Sequence, residues 1–243
     1  MVRATLAGMI VDQVRVPAQR VADPTEWPFT VPAVAALVGT GVSLDAPVTF
    51  LVGENGSGKS TIVEALAEAW GADVRGGRSD GRYSSELEPS ELGAVLELRR
   101  TPTGSRMVGR RARGYFLRSE TALDMFSRSE KHDPGFHDVS HGESFLHAFD
   151  ARLAEKGLYL LDEPEAALSF GACLQLMGTL ADVVERGGQI ICATHSPVLT
   201  ALPGAAVLQL GARGIERTTW GQLDLVQHRR AFLDEPGRYL RHL

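Results

Sequence analysis

Nine residues constrain this chain more than any others: Gly53-Glu54-Asn55-Gly56-Ser57-Gly58-Lys59-Ser60-Thr61. They fit GxxxxGK[ST] at every defined position. An apolar run at 48–52 precedes them, and apolar residues at helical spacing follow through 70. The order therefore reads strand, glycine loop, helix. The glycines permit tight curvature and let backbone N–H groups converge on phosphate oxygens. The helix starts at the loop, so its unpaired first N–H groups face the same anion. Asn55, Gly56, Ser57, Gly58, Lys59, Ser60 and Thr61 are the candidate phosphate-binding residues. Lys59 can reach β and γ phosphates, and Ser60 offers a hydroxyl to Mg²⁺.

A second unit follows about a hundred residues later. The apolar run 158–161 delivers Asp162 and Glu163 to a strand's C-terminal end, where ligands bind in open α/β sheets. Asp162 is the candidate Mg²⁺ ligand, directly or through water. Glu163 is placed to polarise an attacking water. Glu165 has two readings: it supports that water, or it caps a helix. Apolar residues at helical spacing across 172–186, such as Leu176, Leu180 and Val183, lead to a further apolar run at 189–193. Two strands joined by such a helix make a βαβ crossover. Thr194-His195-Ser196-Pro197 ends the second strand and sets His195 beside the γ phosphate, where it can bond phosphate or orient water.

The remaining chain sets limits. Its 243 residues suffice for one substantial core. The net charge of −5 argues against a globally basic nucleic-acid binder. Two cysteines, Cys173 and Cys192, exclude a disulfide scaffold and a four-cysteine zinc site, and both read as core residues. No apolar stretch reaches membrane-spanning length. The N-terminal run carries Asp12 and lacks a long h-region, so it reads as a strand and a cytoplasmic location follows as the expectation. Residues 92–99 and 105–110 are expected to pair as a hairpin. Residues 119–156 read as mostly helical. Strands are expected at 205–210 and 214–219, with a last helix over 222–234 stopped by Pro236.

Taken together, these motifs resemble the ATP-binding-cassette class of P-loop ATPases. That class includes transporter ATPase subunits and the SMC, Rad50 and RecF group. Lys59 and Ser60 match the Walker A residues, Asp162 and Glu163 the Walker B aspartate and catalytic glutamate, and His195 the switch histidine. Ser140-His141-Gly142-Glu143-Ser144 resembles the signature loop, with His141 where a glycine is usual. Ala166-Ala167-Leu168-Ser169 resembles the D-loop. The Q-loop place is held by Gly114-Tyr115-Phe116-Leu117-Arg118-Ser119-Glu120, which has no glutamine; Arg118 or Glu120 stands in for it. GYFLRSE, SHGESF and FLDEPGRYLRHL are similar to segments of small single-head bacterial AAA- or ABC-like ATPases.

The resemblance implies an α/β P-loop fold with a central, mostly parallel sheet, an N-terminal antiparallel part and a small helical signature subdomain. One head would span 1–243, with a nucleotide-binding core at 1–71 and 157–243 and an insert lobe near 72–156. It implies Mg²⁺-dependent ATP hydrolysis. It also implies an ATP-dependent homodimer in which Ser140 and Gly142 bind the nucleotide held by the other head. The leading expectation is a soluble ATPase coupled to nucleic acid or an effector protein. The alternatives are the ATPase subunit of a membrane permease, against which the altered signature and missing glutamine weigh, and a slow nucleotide-sensing switch.

Other features carry bland readings beside sharper ones. His132, His137, His141 and His147 lie close in sequence, but their spacing fits no compact metal motif. Arg99, Arg100, Arg106, Arg110, Arg111, Arg113 and Arg118 form either a nucleic-acid surface or a solvated hairpin. Phe29 reads as core, and it or Trp27 as an adenine-stacking aromatic.

Overall fold

The computed structural model describes residues 9–73, 76–78, 88–107, 113–118, 153 and 155–241. Among these, ten strands divide between two sheets. In chain order they are β1 (Val11–Arg15), β2 (Val42–Ser43), β3 (Val48–Gly53), β4 (Gly77–Arg78), β5 (Glu97–Arg100), β6 (Gly114–Arg118), β7 (Leu158–Asp162), β8 (Gln189–Thr194), β9 (Ala206–Gly211) and β10 (Gly214–Thr218). The large sheet has the order β10-β9-β3-β8-β7-β6-β4. Its five inner strands run parallel, and both edge strands are antiparallel. The small sheet, β2-β1-β5, is antiparallel throughout. The expected mostly parallel central sheet and N-terminal antiparallel part are therefore present, while the helical signature subdomain expected within 119–156 lies almost wholly outside the described residues.

Strand composition explains the layering. β3, β7 and β8 are almost continuously apolar because both faces of a parallel sheet are covered. Alternate residues face opposite ways. Leu51, Phe116, Leu160 and Ile191 join a core with Ile10 and Val14 of the small sheet's region. Ile62, Val63, Leu66 and Trp70 of helix Lys59–Trp70 complete that layer. Phe50, Tyr159, Ile190 and Cys192 face the other way, onto Leu176, Leu180 and Val183 of helix Phe170–Glu185. Leu223 and Val226, at the start of helix Asp224–Asp234, close the same layer.

Gln189 ties the sheets together. It is completely buried at the start of β8. Its Oε1 accepts from the N–H groups of Ile10 (2.9 Å) and Val11 (2.8 Å), and its Nε2 donates to the Val11 carbonyl (2.7 Å). Backbone groups that enter the core before β1 pairs are satisfied there.

Two sequence expectations change. The hairpin over 92–99 and 105–110 does not form. Ser90 caps a short helix, Glu91–Val95, by accepting from the Gly93 N–H at 3.0 Å. β5 then pairs with β1, where Leu98 faces Val14, and residues 104–106 make a tight helical turn. A side chain at Gly104 would meet the Ile10 carbonyl oxygen at 2.0 Å, so glycine lets this turn rest on the backbone there. Pro236 does not simply stop the last helix; it begins a further short one, Pro236–Leu240, at the position where a missing N–H costs nothing. The interval 72–156 supplies β5 to the small sheet and β6 and β4 to the large one.

Candidate functional site

Register gathers the candidate residues on one rim. Val52 pairs with Thr194, Asp162 with Ala193, and Arg118 with Asp162. The ends of β3, β8, β7 and β6 therefore lie side by side, and each releases its functional residues at the same level.

The loop after β3 is shaped by glycine. Gly56 and Gly58 have φ of 79° and 93°, values that side chains disfavour. A side chain at Gly53 would meet the Leu210 carbonyl at 2.5 Å and Ser57 Oγ at 2.6 Å. Lys59, Ser60 and Thr61 open the following helix, so their N–H groups lack helical acceptors. Lys59 is buried, and its Nζ donates to the carbonyls of Gly53 (2.9 Å) and Glu54 (3.0 Å). Burial lowers its pKa, opposed by the nearby charges of Glu163, Asp162 and Glu165.

Ser60 Oγ donates to Asp162 Oδ1 at 3.0 Å. Asp162 is only 5% exposed, and burial raises its carboxyl to about 6 despite the Ser60 bond. A carboxylate and a hydroxyl, both hard oxygen donors, meet beside a phosphate cradle. This donor set fits Mg²⁺, which takes one or two protein oxygens and completes its shell from phosphates and water. Among the described residues no group of three or more His, Cys, Asp and Glu is arranged to hold a metal without such help.

Glu163 follows Asp162 with φ of 49°, the left-handed region that side chains rarely occupy. Its N–H still donates to the Ala193 carbonyl at 2.9 Å. The backbone thus leaves the sheet abruptly, and Glu163 Oε1 lies 3.2 Å from His195 Nε2, within ion-pair distance but without hydrogen-bond geometry, so that Nε2 has a free place for a further partner. Such strain persists only where the surroundings hold it.

Glu165 takes a place that neither sequence reading describes. Its Oε1 accepts from Thr194 Oγ1 and from the His195 N–H, each at 2.6 Å. Thr194 Oγ1 in turn accepts from the Ser196 N–H at 2.9 Å. Glu165 thereby fixes the turn that carries His195.

Arg118, at the end of β6, pairs with Glu64 of the loop helix at 2.6 Å. The described members of the arginine group are engaged in several ways. Arg99 pairs with Asp12, Arg113 with Glu155, and Arg100 stacks over Trp70. Phe29 is 8% exposed within the core, whereas Trp27 is 62% exposed. Both cysteines are buried. Ser140, Gly142, Glu120, Arg110, Arg111 and the histidines at 132–147 lie outside the described residues.

A cavity of about 760 Å³ opens above the loop. Glu54, Asn55, Gly56 and Ser57 form its floor, His195 one side, and His228 and Arg229 of helix Asp224–Asp234 another. Sequence reasoning gave this helix no part in the site. Its apolar residues show how it packs, but not what its polar face meets.

The fold and rim define a P-loop ATPase domain, an ATP-hydrolysing enzyme of the ABC/AAA type, related to ABC-transporter and AAA-type ATPases. Residues 39–122 match a family model described as "AAA domain". Residues 136–201 match one described as "AAA domain, putative AbiEii toxin, Type IV TA system". The cytochrome c biogenesis ATP-binding export protein CcmA of Rhizobium etli is 29% identical over 188 residues, covering 70% of this chain and 85% of that one. The macrolide export ATP-binding/permease protein MacB of Hahella chejuensis is 27% identical over 175 residues, covering 62% of this chain and 26% of that one. CbiO1 of Clostridium perfringens, described as part of an ABC transporter complex, superposes with a TM-score of 0.46 at 17% identity, over 96% of this chain and all of that one. Among the described residues no helix is long and apolar enough to cross a membrane.

Proposed function

We propose that this chain is the ATP-driven head of a two-component machine, and that it passes its nucleotide-dependent movement to a separate membrane permease. The observation that carries the chemistry is the pairing on one rim of Ser60 with Asp162 and of Glu163 with His195, flanking the phosphate loop. The loop amides of 55–61 and Lys59 bind phosphate. Ser60 and Asp162 hold Mg²⁺, which when bound screens the phosphate charge. Glu163 accepts a hydrogen bond from the attacking water and polarises it. His195 keeps the Glu163 carboxylate oriented and reaches the terminal phosphate. Glu165 positions His195 through its backbone.

Two heads closing on ATP complete the site. Lys59, Ser60 and Asp162 approach the phosphates from one side, and charge developing at the γ phosphate calls for donors on the other. Ser140 and Gly142 of the partner subunit are assigned that role, from their resemblance to the signature loop. An isologous dimer makes two sites at once. The permease reading is supported by the export functions named for CcmA and MacB. It displaces the nucleic-acid or soluble-effector partner that the sequence alone favoured. That second reading keeps one support, the toxin–antitoxin description attached to residues 136–201, while the proposed kinship to the SMC, Rad50 and RecF group rests on the motif resemblance alone.

The chemistry is tested by MgATP turnover of wild type, Lys59→Ala and Glu163→Gln; sustained turnover in Lys59→Ala would remove the assigned role of that lysine. Closure is tested by light scattering of Glu163→Gln with MgATP, where persistence of the monomer at high concentration counts against a homodimer. The partner class is tested by affinity recovery on Glu163→Gln held with MgATP. A polytopic membrane protein supports the permease reading; nucleic acid or a soluble protein supports the other.

A further inference from the structure

Helix Asp224–Asp234 faces the phosphate loop across the cavity, and its two adjacent arginines take different directions. Arg230 stacks over the Trp220 ring at 4.9 Å. Arg229 lines the cavity, with Nη2 3.5 Å from the His195 carbonyl oxygen. Among the described residues no carboxylate lies within ion-pair distance of Arg229, whereas Arg99, Arg118, Arg213 and Arg217 each have one. A guanidinium beside a phosphate cradle without a carboxylate partner is poised for an anion.

The helix is held in place. Asp224, which also lines the cavity, accepts from Gln209 Nε2 at 2.5 Å and donates its N–H to Gln209 Oε1 at 3.1 Å. Trp220 Nε1 donates to the Pro197 carbonyl at 2.8 Å. Leu223 and Val226 are buried beneath the helix. One anchor reaches β9, next to the loop strand. The other reaches the turn that carries His195. Arg229 is therefore presented from a secured element rather than a free tail.

We propose that Arg229 contacts the terminal phosphate of the nucleotide on the loop, so that this chain supplies a positive charge from the side of the cavity opposite loop residues 54–57. The proposal rests on the ATP reading above and deepens it. The choice of terminal phosphate follows from position. Arg229 reaches the His195 turn, and His195 touches Glu163, so this rim is where a γ phosphate meets its water. ADP lacks the group that Arg229 would hold. The arginine thus makes the head prefer ATP to ADP.

The test is equilibrium binding of MgATP and MgADP, by calorimetry, to full-length Glu163→Gln protein, alone and with Arg229→Ala, Arg229→Lys or Arg230→Ala. Loss of a charged hydrogen bond predicts that Arg229→Ala weakens ATP by about ten- to a hundredfold. ADP should change by less than about threefold, because the lost partner is the γ phosphate. Arg229→Lys should recover part of the ATP affinity. Arg230→Ala removes the same charge one residue away and should leave the ATP-to-ADP ratio unchanged. An unchanged ratio in Arg229→Ala, or an equal change in Arg230→Ala, overturns the assignment while leaving the ATP reading intact. Binding of neither nucleotide by the parent protein would overturn both. A neutral, similarly long variant guards against misfolding: if Arg229→Ala loses its helical spectrum, an Arg229→Gln protein that is folded and keeps the parental ratio overturns the proposal.

Discussion

Gln189 and Asp162 are buried polar side chains on neighbouring strands, at opposite ends of the sheet. Gln189 makes three hydrogen bonds to the backbone of residues 10 and 11. Asp162 has one hydroxyl donor, and its carboxyl is pushed up to about 6. Glu163, next to Asp162, adds a left-handed backbone. One end of the sheet is satisfied and the other is held in tension. Buried polarity stabilises where its partners belong to the fold, and serves chemistry where its partners must arrive from outside.

Four changes should break or sharpen this contrast, from the largest effect to the smallest. Glu163→Gln should lower turnover by about 10²–10⁴-fold while MgATP still binds, the range for a lost general base; steady-state rates and nucleotide titration check it. At the opposite end, Gln189→Leu should destabilise the protein by about 3 kcal/mol or more, since two N–H groups and a carbonyl lose buried partners. Urea unfolding would show this as a lower midpoint.

Asp162→Asn should act in the opposite sense. The folded protein holds the Asp162 proton up to about pH 6, against an ordinary value of 3.8. Between those values the folded state binds more protons than the unfolded one, so stability falls as pH rises through the window. The penalty is complete above about 6 and absent below 3.8. With metal chelated, Asp162→Asn should therefore stabilise by up to about 3 kcal/mol at pH 7.5 and by almost nothing below pH 4. Denaturant midpoints at the two pH values decide this. Glu163→Gly should relieve the positive φ and stabilise by about 1 kcal/mol, while turnover is lost; a lower melting temperature would argue that side-chain contacts outweigh the strain.

The sequence made the phosphate loop legible because Gly53 to Thr61 carry their geometry locally: each glycine serves a bend within the same nine residues. The acidic strand end was legible for a similar reason, since five apolar or aromatic-to-acidic positions announce a buried strand and its tip. Glu165 was not. Its acceptor role depends on Thr194 and the His195 N–H, 29 and 30 residues away, and both lie on a neighbouring strand end. Gln189 bonds to residues 178 and 179 positions away, so no local pattern marks it. The expected 92–110 hairpin failed because alternation cannot say which strand is the neighbour; β5 had a better partner in β1. The cavity-facing side of helix Asp224–Asp234 was hidden in the same way. Leu223 and Val226 reveal that the helix packs, whereas Arg229 gains meaning only from what lies opposite.

Lys59 has a consequence for how nucleotide enters. Its ammonium already bridges the carbonyls of Gly53 and Glu54, so the loop is latched in its curved form before any ligand arrives. Chain ordering has been completed during folding, and arrival of phosphate only exchanges one set of acceptors for another. Capture should therefore be fast and limited by diffusion, with little change in heat capacity, whereas a loop that had to curl around its ligand would load slowly.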